Sequence, residues 1–194
     1  MRADAHHNRL QLVRAARDVI GQKGTTDVNV REIASAAGVG TATLYRHFPN
    51  KEVLIDEVSV VRWSRMEAFA RHGVRAAYTP VQQVLAILEA FTRMTTTDDR
   101  FIAAAGLKVG HAPPRALQPI RQSFDPLFAA LWVEAQREGM LRRSADPRDA
   151  VELAGAIRDG SRRIQMMTML TAGICTGAVE AEALVSQMFL KRSK

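Results

Sequence analysis

The stretch VREIASAAGVGTATLYRHFPNKE, Val30 to Glu52, decides how this chain is read. Asn29, just before it, is a good helix N-cap, and Glu32 three residues on makes a variant of the capping box. Ile33, Ala34 and Ala37 supply the inward positions of a short helix, and Gly38 can take the left-handed conformation that ends it. After Val39 and Gly40, Thr41 is placed to cap a second short helix running to about His47 with Leu44 inward. Pro49 stops that helix, because the residue before a proline is disfavoured in the α region. Asn50 then reads as the N-cap of a long helix from Lys51 towards His72. Two short helices joined around a glycine outline a helix-turn-helix.

Working outward, Leu12, Ala16, Val19 and Ile20 recur at helical spacing with Arg14, Arg17 and Asp18 off that stripe, so a first helix is predicted from Asn8 to Lys23, ending at Gly24. His6 and His7 before it read as a frayed terminus. Downstream the chain reads as helix throughout, with no alternating strand pattern. Pro80 opens a helix to about Thr95, and Asp98 or Asp99 caps another from Arg100 to Lys108. Leu117, Ile120, Phe124, Leu127, Leu131 and Ala135 keep a 3.6-residue period until Gly139. Pro126, with Asp125 available as a new N-cap, predicts a kink or a break within that run. Asp146, Pro147 and Asp149 open a helix to about Thr171. A last helix, from about Ala178 to Lys191, carries Ala181, Leu184, Val185, Met188 and Phe189 on one side. The expected fold is all-α, about nine helices, with a helix-turn-helix DNA-binding domain over residues 1–52 and a helical regulatory domain over 53–194.

Composition narrows the function. A hydrophobic fraction of 47% and a mean hydropathy of -0.11 describe a globular chain, and no window reaches the roughly 18 uninterrupted apolar residues of a membrane span. The N-terminus, MRADAHHNRL, lacks the apolar core of a signal peptide, so the expected location is cytoplasmic. The lone Cys175 has no disulfide partner within the chain and reads as a small buried hydrophobe. Net charge is +7, which points to an anionic partner. Residues 1–51 hold 8 Lys+Arg against 4 Asp+Glu, so over half of that excess lies in the first quarter of the chain. There is no G-x-S-x-G, HExxH or P-loop, and His6, His7, His47, His72 and His111 show no metal-ligand spacing. Neither an enzyme nor a metal or cofactor is expected.

The run from Leu12 to Leu54, with Ala15 and Ala16, Lys23 and Gly24, VREIASAAGVG, TLYRHF and NKE, resembles the DNA-binding region of TetR-type (TetR/AcrR) transcriptional regulators. Several spaced positions agree together over about the first 55 residues. Beyond them only the helical pattern, the EGMLR turn at Glu138 to Arg142 and the chain length agree. The resemblance implies a homodimer whose C-terminal domain binds a small molecule and thereby releases double-stranded operator DNA.

The residues also have a chemistry of their own. In a helix-turn-helix the second helix offers its N-terminal side chains to base edges in the major groove. Thr43 carries a hydroxyl for a base edge or phosphate and a methyl for a thymine methyl, whereas Thr41 either caps or touches DNA. Arg31, near the start of the preceding helix, has the fork that reads guanine. Arg46 is exposed by the same pattern and either tunes sequence choice or adds to the field. By resemblance, Tyr45, His47 and Lys51 match positions the family uses against the DNA backbone. A lysine gains little from a helix N-terminus of its own, so Lys51 suits an arriving phosphate.

For an effector, Phe91, Met94, Phe101, Phe124, Phe128 and Trp132, with Met166 and Met167, supply apolar wall candidates on the middle helices. A break at Pro126 would open an entrance beside Phe124 and Phe128. Gln122, Asp125, Arg158 and Gln165 are the polar candidates. The homodimer is expected through the last two helices, with Gly155 and Gly160 allowing close approach and Leu184, Val185 and Met188 facing the partner. The expected function is a ligand-responsive DNA-binding regulator, a repressor released from its operator by a small molecule. The alternative is a dimeric DNA-binding regulator or architectural protein with no effector.

Overall fold

The structure, a computed structural model, describes residues 2–74, 78–105, 115–157, 159–177 and 183. Among them the helices are α1 (Arg2–Lys23), α2 (Val30–Ala36), α3 (Thr41–His47), α4 (Lys51–Ala68), α5 (Pro80–Thr97), α6 (Asp99–Ala104), α7 (Gln118–Arg137), α8 (Pro147–Ala156) and α9 (Arg163–Ile174). A π turn, Phe69–Gly73, continues α4, and a 3-10 turn, Arg115–Leu117, precedes α7. The all-α class expected from the sequence holds. No helix among the described residues is long and apolar enough to cross a membrane.

Several boundaries differ from the sequence reading. α1 begins at Arg2, so His6 and His7 are helical. α7 runs unbroken through Pro126. Asp125 caps nothing there and instead pairs with Arg121 one turn back, Nε to Oδ1 3.0 Å. A proline forfeits one backbone bond, and the buried stripe of Phe124, Phe128, Trp132 and Ala135 holds a continuous helix against that loss. The break falls instead inside the expected 147–171 helix. Ile157 turns extended (φ -73°, ψ 103°) after α8, and the Asp159 carboxylate accepts from Ser161 N at 2.9 Å and Ser161 Oγ at 2.6 Å. A short polar side chain that bonds its own backbone two residues on competes with the helix. Those bonds from Ser161 also hold the Asp159 carboxyl below its ordinary value. Nine α-helices are described, but not the expected nine: this break adds one, and the predicted last helix lies outside the described residues except for Ala183.

The chain forms two compact units, Met1–Trp63 with Asp98–Gln118, and Ser64–Thr97 with Pro119–Lys194. The core of the first gathers Leu12, Ala16 and Ile20 of α1, Ile33 and Ala34 of α2, Leu44 of α3, Phe48, Leu54 and Val58 of α4, and Phe101 and Ile102 of α6. Fully burying one such side chain stabilises by about 1.5–3 kcal/mol, so α6 is a structural member of this unit although it lies mid-chain. Asp98 sits at the N-cap position of α6 without a side-chain cap bond. Its carboxylate instead meets Arg62 Nε of α4 at 2.8 Å and Arg17 Nε of α1 at 3.8 Å.

In the second unit α5 is buried nearly all round, from Val81 to Thr95. Its Glu89 is 4% exposed and is met by Arg93, at 2.8 Å, and by Arg163 of α9. Thr92 and Thr95 return their hydroxyls to α5 carbonyls, at 2.8 and 2.9 Å, so these two buried hydroxyls are satisfied within the helix. On α7, Phe124 stacks on Phe128 with centroids 5.9 Å apart, and Trp132 donates its Nε1–H to Ala145 O at 3.2 Å.

Candidate nucleic-acid interface

The turn between α2 and α3 follows from three residues. Gly38 adopts φ +69°, and the bonds Gly38 N to Ser35 O and Val39 N to Ala34 O, both 3.0 Å, complete a Schellman motif. Gly40 then takes the N-cap of α3, its carbonyl accepting from Thr43 N at 2.9 Å and Leu44 N at 3.1 Å. Thr41 is therefore the first residue of α3 and not its cap, which corrects the sequence reading. An extended backbone at Gly40 already supplies the first carbonyl, so no side-chain cap is formed there. Asn29 does cap α2, its Oδ1 accepting from Arg31 N at 2.9 Å. Glu32 does not close a box; it pairs with Lys23 of α1 at 2.5 Å. Asn50 Oδ1 accepts from Val53 N at 2.8 Å at the start of α4.

Nothing lies within 4 Å of a Cβ built on Gly38, so Gly38→Ala meets backbone strain alone. It is expected to cost about 1–2 kcal/mol, the penalty of the left-handed region for an L-residue. Urea unfolding checks this. An unchanged midpoint would mean that the turn relaxes to another conformation.

α3 divides by side. Leu44 and the following Phe48 are fully buried and Tyr45 is 50% exposed. Arg46 is exposed, and Thr41, Thr43 and His47 are half-buried. Residues four apart share a side of a helix, so Thr41 with Tyr45, and Thr43 with His47, form adjacent rows. The structure thus brings Thr41, Thr43, Tyr45, Arg46 and His47 together on one seven-residue helix. Arg31 stands exposed in the first turn of α2. Lys51 opens α4, but its ammonium folds back on the loop before α2, 3.5 Å from Val28 O and 3.8 Å from the Asp27 carboxylate. With Asp27 fully exposed and Lys51 25% exposed, that pair is open to competition by another anion.

Sequence reasoning missed Arg9 and Glu57. Arg9 NH1 donates to His47 O at 3.2 Å, its NH2 lies 2.9 Å from Glu57 Oε1, and its guanidinium sits 4.5 Å from the centroid of the Phe48 ring. Arg9 lies three residues before Leu12 and seven before Ala16, on the apolar side of α1, so helical spacing already marked it as facing inward; its partners, 38 to 48 residues away, carry no local signal.

The apolar candidates for an effector site do not all fall in one unit. Phe101 is in the core of the first. Phe91, Met94, Phe124, Phe128 and Trp132 are in the second, where the last three form one row. An open groove of about 770 Å³ on the other side of α7, lined by Ala129, Ala130, Val133, Glu134, Arg137 and Glu138, contains none of them. Among the described residues no three His, Cys, Asp or Glu side chains come together as a metal ion needs.

The fold and this face define a helix-turn-helix protein whose short third helix turns polar side chains outward from an apolar anchor. Residues 12–58 match the family model of the bacterial regulatory proteins of the TetR family. HTH-type transcriptional regulators of Staphylococcus aureus are 37% identical over 54 residues, a stretch covering 28% of this chain and 29% of theirs. The TetR transcription regulatory protein of Mycobacterium vanbaalenii is 28% identical and superposes over 90% of this chain and 99% of its own with a TM-score of 0.64. CprB of Streptomyces coelicolor, in its structure with its biological operator sequence, is similar in fold at 18% identity, TM-score 0.73, over 98% of this chain and 99% of its own.

Proposed function

We propose that this chain is a ligand-responsive transcriptional repressor, with residues 1–52 as the module that reads operator DNA and 53–194 as the regulatory part. The observation that carries the reading is the division of α3, where Leu44 and Phe48 are fully buried and Tyr45 is half exposed. Thr43, Tyr45, His47 and Lys51 are the principal contacts in this reading, with Arg31, Thr41 and Arg46 beside them. The likeness to CprB, solved on its operator, supports the same use of the fold. Two copies of α3 in a homodimer would meet half-sites about 34–36 Å apart in successive major grooves. Leu153 of α8 and Met169 of α9, 58% and 70% exposed, support a partner over the expected dimer segment. A small molecule releases DNA only if it binds better to a dimer whose heads are wrongly spaced.

A gel shift on the region upstream of the coding sequence tests DNA binding, and its salt slope tests phosphate contact. Lys51→Ala is expected to flatten that slope by about 0.9 for each copy in contact, and to weaken matched and scrambled duplexes alike. Asp27→Asn, which removes the competing carboxylate, is expected to strengthen both. An unchanged slope in Lys51→Ala removes Lys51 from the interface. For the effector, compounds are screened for thermal stabilisation, where saturation at 100 times Kd adds about 2.7 kcal/mol, and hits are tested for release of DNA. A library yielding no compound that does both favours a regulator without an effector.

A further inference from the structure

α3 has only seven residues, and a helix that short holds its direction through its anchors rather than through its own hydrogen bonds. Its final carbonyls have no partner further along the helix and carry the negative end of its dipole. One of them, His47 O, accepts from Arg9 NH1 of α1 at 3.2 Å. The same guanidinium is held from a third helix: Glu57 Oε1 of α4 is 3.2 Å from its Nε and 2.9 Å from its NH2. Its Cζ lies over the ring of Phe48, the residue that closes α3, 4.5 Å from the centroid. Arg9 is 35% and Glu57 22% exposed, so water competes with this arrangement only in part.

We propose that Arg9, fixed by Glu57, is a positioning residue for the DNA-reading helix: it pins the C-terminal end of α3 to α1 and α4, and so sets the angle at which Thr43, Tyr45 and His47 are presented. The proposal rests on the DNA-binding reading above. A guanidinium suits this role because its donors leave in fixed directions from one plane, so one group bonds the carbonyl and the carboxylate while stacking on a ring. An ammonium has no such plane. Arg9 acts through α3 and Phe48, and no phosphate contact is assigned to it.

The test compares Arg9→Met, which keeps an apolar cover over Phe48 but removes every donor, with Arg9→Lys and Glu57→Gln in the full-length chain. Arg9→Met is expected to weaken binding to the matched operator about tenfold, the size of one lost charge-assisted hydrogen bond. Its salt slope should be unchanged, and a scrambled duplex should lose little. Glu57→Gln is expected to lose matched-operator affinity in the same sense, and Arg9→Lys to fall between Arg9→Met and the natural protein. A slope flattened by about 0.9 per copy, with equal loss on both duplexes, would make Arg9 a phosphate contact and overturn the proposal. Amide hydrogen exchange decides the point without DNA: Leu44 to Phe48 should exchange faster in Arg9→Met at an unchanged unfolding midpoint, and unchanged exchange overturns the pin. If the natural protein shifts no duplex, the DNA reading fails, and the exchange result still stands or falls alone.

Discussion

Replacing Asp98 with alanine is expected to destabilise the first unit by about 3–5 kcal/mol, the cost of breaking a buried ion pair by removing one partner. Asp98 Oδ2 lies 2.8 Å from Arg62 Nε, and the two side chains are 12% and 9% exposed. Without the carboxylate, the Arg62 guanidinium remains buried above Phe101, 5.8 Å from its centroid. Asp98 makes no side-chain cap bond to α6, so loss of a cap does not explain the expected effect. The more exposed Arg17, at 3.8 Å, contributes less. A second variant separates the pair from the packing. Replacing Arg62 with methionine as well removes the stranded charge, and the double variant should recover most of the loss, because apolar replacements of buried pairs are often neutral. Urea unfolding of the single and double variants gives the coupling directly. A loss below about 1 kcal/mol for Asp98→Ala, the range of exposed pairs, would mean that water reaches Arg62.

The other large effect is expected at Phe48. Phe48→Ala should cost about 3–5 kcal/mol, as full-size aromatic truncations in cores do. The ring has no exposed surface and packs in the same core as Leu12, Ile33, Leu44 and Leu54. It also forms the floor on which the Arg9 guanidinium rests, so truncation both opens a cavity and removes the seat of that contact. Its backbone is the C-cap of α3, N–H to Leu44 O at 2.8 Å, and survives the substitution. Phe48→Leu, which refills much of the volume, should recover over half of the loss. Operator binding by Phe48→Ala should fall with the folded fraction. A variant that unfolds at the natural urea midpoint would show that the ring is not structural.

Much of the helix-turn-helix was legible because its signals are local. Asn29, Gly38 and Asn50 act on backbone within three residues of themselves, and each does what its residue type predicts. Leu44 inward and Tyr45 outward follow from a period of 3.6. Thr41 was misread because Gly40 and Thr41 both make acceptable caps, and only the backbone angle at Gly40 chooses between them. Pro126 misled for a different reason. Its local cost was visible, but the burial of Phe124, Phe128 and Trp132 that outweighs it was not. At Asp159 and Ser161 the reverse occurred: a short polar turn inside an apolar period ended a helix that periodicity alone would have continued.

By itself, the sequence determined the all-helical class, the positions of the turn glycine and of the caps Asn29, Asn50 and Asp146, and which residues of α3 face inward. These depend on interactions closing within about one helical turn, so spacing along the chain is spacing in space. Only the tertiary structure decided that α6 joins the core of the first unit, that Asp98 serves Arg62 rather than its own helix, and that Arg9 meets both His47 and Glu57. Those contacts join residues tens of positions apart. A side chain with a free charge and a long stem has the same local signature whether it ends in water or on another helix, and only packing tells the two apart.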